Sequence, residues 1–250
     1  MRKILILIVC ILFSASVFAG IVVKPFGGYT SVSNPSGNRI LDMLLLSWSI
    51  PPEVKYKKTY FHDAYVVGVD VGYALIPGLD IGLRGEYIGC YGEVKAWNTV
   101  WPNETESFEF PAGTLPVLAG FSYTYEISGS PFFIGADVYA GYGFANMTLV
   151  AKNSNYDGLA VATDTAPCYG GGFVIDSALK LGYRLSDMLT LTLNTGYRQA
   201  KVEQFRSVKD TTAVGMFSFE KNEVIIGPAG KAIMMDYSGL ILNIALSIKL

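Results

Sequence analysis

Tyr65-Val66-Val67-Gly68-Val69-Asp70-Val71-Gly72-Tyr73-Ala74-Leu75, followed by the turn Ile76-Pro77-Gly78-Leu79-Asp80, decides how this chain is read. The odd positions Tyr65, Val67, Val69, Val71, Tyr73 and Leu75 are large and apolar, and the even ones include Gly68, Asp70, Gly72 and Ala74. A period of two marks a strand with one apolar face. Past the turn the alternation resumes. Leu79, Ile81, Leu83 and Tyr87 share one face, and Asp80, Gly82, Arg84 and Glu86 share the other. The stretch therefore reads as a β-hairpin, with Pro and Gly supplying the dihedrals a tight turn needs.

Working outward, two more tight turns stand between alternating segments, Ser128-Gly129-Ser130-Pro131 and Ser186-Asp187-Met188. Long polar stretches separate them, roughly Val32 to Phe61, Val94 to Gly113, Lys152 to Pro167 and Ser207 to Asp236. Seven connections, alternately long and short, join eight strands. The first strand, Ile21 to Thr30, and the last, Leu240 to Leu250, complete the count. This order predicts an all-β fold, an eight-stranded antiparallel up-and-down transmembrane β-barrel with short periplasmic turns and long external loops. Aromatics near strand ends, Tyr73, Tyr87, Phe132, Phe144, Tyr183 and Tyr197, are placed as interfacial girdles. The rival is a soluble barrel of the lipocalin kind, with its apolar face turned inward around a ligand.

Composition agrees with a chain that meets lipid. Of 250 residues 51% are apolar and only 16% charged, below the roughly 25% of soluble domains. Backbone groups in lipid must be paired within a helix or a closed barrel, and beyond the first residues no apolar run suits a spanning helix. Met1-Arg2-Lys3, the apolar run Ile4 to Phe13 and the small residues through Ala19 form a signal peptide over 1–19. The barrel domain is then 20–250. Cys10 is lost with the leader. Loss of Arg2 and Lys3 carries the formal charge from −2 to −4, which argues against nucleic acid as a partner. A single His in the whole chain argues against a histidine-based metal site, and no cofactor is expected.

This architecture resembles the small eight-stranded bacterial outer-membrane proteins, among them the OmpA transmembrane domain, OmpX and OmpW. Tyr237-Ser238-Gly239-Leu240 through Leu250 is similar to the C-terminal assembly signal of that class, with Leu250 where phenylalanine is usual. The resemblance implies a monomer in the outer membrane, surrounded by its lipid and delivered by the barrel-assembly machinery through the last strand. No further periplasmic domain is expected after it.

The inward parity gathers charge. Lys24, Arg84, Lys180, Arg184, Arg198 and Lys249 are the cations, and Asp70, Glu86, Glu126, Asp137 and Asp176 the anions. A barrel of this size has room inside only for its own side chains. Buried charges must be paired, so the expected outcome is an ion-pair plug that closes the lumen. The alternative is a narrow conduit constricted at Arg84 and Glu86. Cys90 and Cys168 share inward parity and form a candidate disulfide, although their strands, the third and sixth, are not neighbours. Two free thiols are the other reading.

At the outer mouth His62 precedes Asp63 without the His-x-Ser spacing of lipid-modifying barrel enzymes, so the chain reads as a non-enzyme. The apolar run Ile40 to Ile50 suggests a short capping helix. It also leaves open a pocket for an apolar ligand, as in an OmpW-like route for small hydrophobic solutes. Recognition of an external ligand would fall to the loops.

Cleavage after Ala19 is expected: N-terminal sequencing of the exported protein should begin at Gly20, and a mature chain that starts at Met1 would exclude the leader.

Overall fold

The computed structural model describes residues 20–32, 34–47, 54–98, 105–154, 160–213, 217–226 and 232–250. The leader over 1–19, the end of the apolar run from Trp48 and the stretch 227–231 lie outside them. Eight strands form a closed antiparallel ring: β1 (Ile21–Ser31), β2 (Asp63–Ile76), β3 (Leu79–Asn98), β4 (Thr105–Glu126), β5 (Phe132–Ser154), β6 (Ala160–Arg184), β7 (Leu189–Val202) and β8 (Gly239–Lys249). Each pairs with its chain neighbour, β1 and β2 included, although the first long connection lies between them. β8 closes it on β1, from Val22 opposite Lys249 to Thr30 opposite Ile241. The Leu250 amide donates to the Ile21 carbonyl at 2.9 Å.

The faces follow the sequence alternation. Tyr65, Val67, Val69, Val71, Tyr73 and Leu75 are exposed along β2, and Leu240, Leu242, Ile244 and Leu246 along β8. Val66, Asp70, Arg84, Glu86 and Asp176 point inward and are buried. The exterior is therefore apolar and the middle of the interior ionic, the reverse of a soluble barrel. From Tyr65 to Leu75, at roughly 3.3 Å per residue and a tilt near 40°, the apolar belt is about 25 Å tall, the height of a membrane-spanning band. Aromatic residues edge it. Tyr73, Tyr123, Tyr125 and the Phe132–Tyr183 pair stand at the turn end; Tyr29, Tyr65, Phe144, Phe173 and Tyr197 stand toward the loop end. Tyr87 is half-buried against Tyr65. The molecule is a transmembrane β-barrel of the outer-membrane type.

The connections differ from the expected lengths. The described parts of Val94 to Gly113 and Lys152 to Pro167 are strand, not loop. β3 and β4 run to Asn98 and from Thr105, and β5 and β6 run to Ser154 and from Ala160. These four strands have 20, 22, 23 and 25 residues, against 11 to 14 for the other four. They rise beyond the belt as a wall. Val54–Thr59 adds to its β3 edge and Phe205–Ser207 to its β6 edge. Polar residues on the water side of the wall are what made these segments look like loops. Within Ser207 to Asp236, Met235 and Asp236 extend the pairing onto β7, while Thr211–Ala213 pairs locally with Phe217–Phe219.

Glycine makes room inside the ring. A Cβ on Gly120 would lie 2.1 Å from the Val138 carbonyl oxygen and 2.7 Å from the Tyr139 Cα, while one on Gly85 would meet nothing within 4 Å. Gly120→Val is expected to lower barrel stability by roughly 1–3 kcal/mol or more through overpacking, and Gly85→Ala to be nearly neutral. Urea unfolding in detergent measures both, and equal effects would refute the packing argument.

Candidate functional site

Register builds the lumen. Arg84 on β3 stands opposite Asp70 on β2, and Asp176 on β6 opposite both Tyr139 on β5 and Arg198 on β7. Arg84 Nη2 lies 3.2 Å from Asp70 Oδ2 and 3.3 Å from Asp137 Oδ2. Its Nη1 is 3.8 Å from Asp176. Arg198 grips Asp176 with two hydrogen bonds, Nε and Nη2 each at 2.8 Å, and Nη2 also donates to Glu86 at 2.5 Å. The Tyr139 hydroxyl donates to Asp70 at 2.8 Å, and Arg84 stacks 3.9 Å over the Tyr139 ring. Lys180 reaches Asp137 at 2.9 Å and the Ser122 hydroxyl at 2.5 Å.

Small residues leave these long side chains their space. A Cβ on Gly82 would meet Asp70 and the Tyr139 hydroxyl at 3.1 Å, and one on Gly135 would meet Lys180 at 2.8 Å. Arg198, Glu86, Asp176 and Asp70 are no more than 2% exposed. The cluster crosses the lumen from β2 through β7.

Seven of the eleven expected lumen residues meet in this cluster: Asp70, Arg84, Glu86, Asp137, Asp176, Lys180 and Arg198. Lys24 sits nearer the turn end, paired with Asp80 and Ser122, each at 3.3 Å. Arg184 and Glu126 pair with each other at the turn-end rim, where both are substantially exposed. Lys249 departs from expectation. It is the next-to-last residue, exposed at that same rim, with no ion pair among the described residues. Asp80, Ser122 and Tyr139 are members the sequence reading did not single out, although each has inward parity. On the turn-end side of the cluster a cavity of about 150 Å³ is lined by Arg84 and Lys180 of the cluster and by Lys24, Phe26, Asp80 and Asn194.

Above the ionic layer the interior turns apolar, contrary to the expected polar inward face. Val66, Ile88, Ala112, Ala145, Val174 and Ala200 continue the inward positions, then Phe61, Val94, Phe108, Phe110 and Phe205 line the wall. Helix α1 (Pro35–Ser47) lies across this mouth and buries Ile40 and Leu41. Asn34 caps it, accepting from the Gly37 amide at 3.0 Å, with Pro35 in the first turn, where it costs no hydrogen bond. Asn38 accepts from the Phe61 amide at 2.8 Å, and Asp42 holds Lys58 and the Tyr60 hydroxyl at 2.7 Å each. Those two donors keep the Asp42 carboxyl below its ordinary range. The capping helix anticipated from Ile40 to Ile50 thus exists as far as Ser47 and begins earlier, at Pro35.

Cys90 and Cys168 are both buried and both free. They lie in one register row, Cys90–Ala112–Met147–Cys168, three strand spacings apart. At about 4.8 Å per spacing the gap far exceeds the roughly 6 Å a disulfide allows. His62 is exposed, its ring edge-on to Tyr60 at 5.6 Å. Among the described residues no serine or carboxylate hydrogen-bonds that ring.

Replacing Arg198 by Met leaves Asp176 and Glu86 without their main partner. A loss of about 3–5 kcal/mol is expected, and Arg198→Met/Asp176→Leu/Glu86→Leu should recover most of it. Urea titrations in detergent give both values; an Arg198→Met barrel as stable as the parent would overturn the assignment.

No family model matches the chain, and no curated protein does. Among solved structures, Neisserial surface protein A has 12% identity and a TM-score of 0.30, covering 92% of this chain and 97% of that one. The outer membrane protease OmpT from Escherichia coli has 9% identity and a TM-score of 0.38, with 93% and 97% covered.

Proposed function

We propose that this chain is a closed barrel of the bacterial outer membrane with a structural or surface-interaction role exercised at its loop end. The observation that carries this reading is the double closure of the lumen. A crossed ion-pair cluster fills the middle, and an apolar layer under α1 fills the mouth. An ion would have to break Arg84 and Arg198 contacts that are almost fully buried, then cross a largely apolar layer. An apolar solute entering at the mouth would have to displace Leu41 and Phe61, which are 0% and 1% exposed.

A lipid-modifying role at His62 would need a nucleophile or orienting carboxylate within hydrogen-bond reach. The ring's close neighbour is Tyr60, which favours the non-catalytic reading. The closing strand β8 is the proposed element through which assembly machinery would recognise the chain.

In planar bilayers the purified barrel is expected to give no steady conductance at moderate potentials. Reproducible single-channel steps from the parent protein would overturn the closed-lumen reading and favour a conduit.

A further inference from the structure

On the outer face of the wall two cations oppose each other. Lys57 on the edge strand Val54–Thr59 is the direct cross-strand partner of Lys95 on β3, and both are exposed. Lys55 is exposed on the same face, opposite Trp97. Like charges directly opposite on neighbouring strands, with Cβ atoms about 5 Å apart, destabilise a sheet. Neither Lys57 nor Lys95 has an acidic partner within ion-pair distance among the described residues. Lys58, on the other face, meets Asp42 at 2.7 Å, and Lys152 pairs with Glu109.

Lysines on an edge strand block unwanted strand addition, and that accounts for Lys55 and Lys57. It does not account for Lys95, whose strand is paired on both sides.

Directly beneath this patch lies a groove. Stepping down the outward face of β3 from Lys95, Glu93 comes first and then Tyr91. Tyr91 borders a depression of about 710 Å³ lined also by Asp63, Tyr65, Tyr87, Pro111 and Tyr169, at the loop-end edge of the apolar belt. From Tyr91 to Lys95 is about 13 Å along the strand and about 10 Å in height at barrel tilt. Lysine stems bend toward the interface and shorten that step, which places the ammonium groups in the headgroup layer. Tyrosine rings belong at the boundary below it.

We propose that Lys57 and Lys95, with Lys55 beside them, hold the phosphate of a phosphorylated lipid in the leaflet at the loop end, its acyl root resting in the tyrosine-lined groove. A phosphate resolves the Lys57–Lys95 repulsion with charge-assisted hydrogen bonds. The carboxylates of Glu93 and, in the groove itself, Asp63 disfavour a lower seat and set the phosphate at the lysine level. The groove's continuity with the belt selects a lipid over free phosphate. The proposal rests on the membrane reading and is independent of whether the lumen conducts.

Native mass spectrometry of the barrel in nonionic detergent tests it, with diphosphoryl lipid A as probe, its dephosphorylated form as control and inorganic phosphate as competitor. Retention of the phosphorylated lipid is expected, with at least tenfold weaker binding for Lys57→Gln/Lys95→Gln and no weakening for Glu93→Gln. Lys95→Glu, which converts the repulsive pair into an attractive one, should lose the lipid while its melting temperature holds or rises. Unchanged binding by the double variant, equal retention of the dephosphorylated lipid, or displacement by inorganic phosphate overturns the proposal. A barrel that needs detergent but takes no lipid sinks this inference alone; one that stays monomeric in water without detergent sinks the membrane reading beneath it.

Discussion

In hydrocarbon every backbone N–H and C=O needs a partner from the same chain, because no water is there to supply one. The β1–β8 seam is where this chain meets that demand. Until Val22 faces Lys249 and Thr30 faces Ile241, the sheet has two open edges and cannot remain in a membrane. The other features are consequences of closure. Eight strands enclose a space too narrow for water-filled passage, so inward side chains must interlock. Outward ones face only lipid and need little beyond being apolar.

Interlocking explains why glycine and long charged residues occur together on the inward face. Tyr139 and Lys180 extend across the ring because Gly82, Gly120 and Gly135 withhold a Cβ where they pass. The ion pairs are specified in the same way. Removing one partner strands another in a low-dielectric interior, although a well-packed apolar set can do as well for stability. The apolar layer above is such an alternative within one molecule: the same inward parity, carried on by Val66, Ile88 and Val174, packs without any charge.

How much of this was legible follows from what faces what. The belt was readable because most of one side of β2 meets lipid and the other meets glycine and polar groups, so Val67 to Leu75 alternates cleanly. The ionic cluster was readable by parity, but parity alone did not separate Lys249, at a strand end, from Lys180 at mid-height. Asp80 and Tyr139 were visible on the right face and were passed over because partners in space are not neighbours in sequence. The upper core was hidden because both faces there are apolar and alternation fades, as at Tyr65-Val66-Val67 and Tyr87-Ile88. The wall was hidden for the opposite reason: Glu93, Lys95, Glu109 and Lys152 point to water, and a strand that faces water on one side resembles a loop in composition. The free state of Cys90 and Cys168 depended on counting strands between them, which the topology supplies.

The unequal strand lengths give the molecule a front and a back. Over β3 to β6 the sheet stands tall, while over β7, β8 and β1 it ends near the membrane edge and short loop segments with α1 take over. A neighbour in the plane of the membrane therefore meets a rigid face on one side and a low, loop-covered rim on the other. Rotation about the barrel axis is not neutral for this protein, and its orientation relative to neighbours becomes a property that selection can act on.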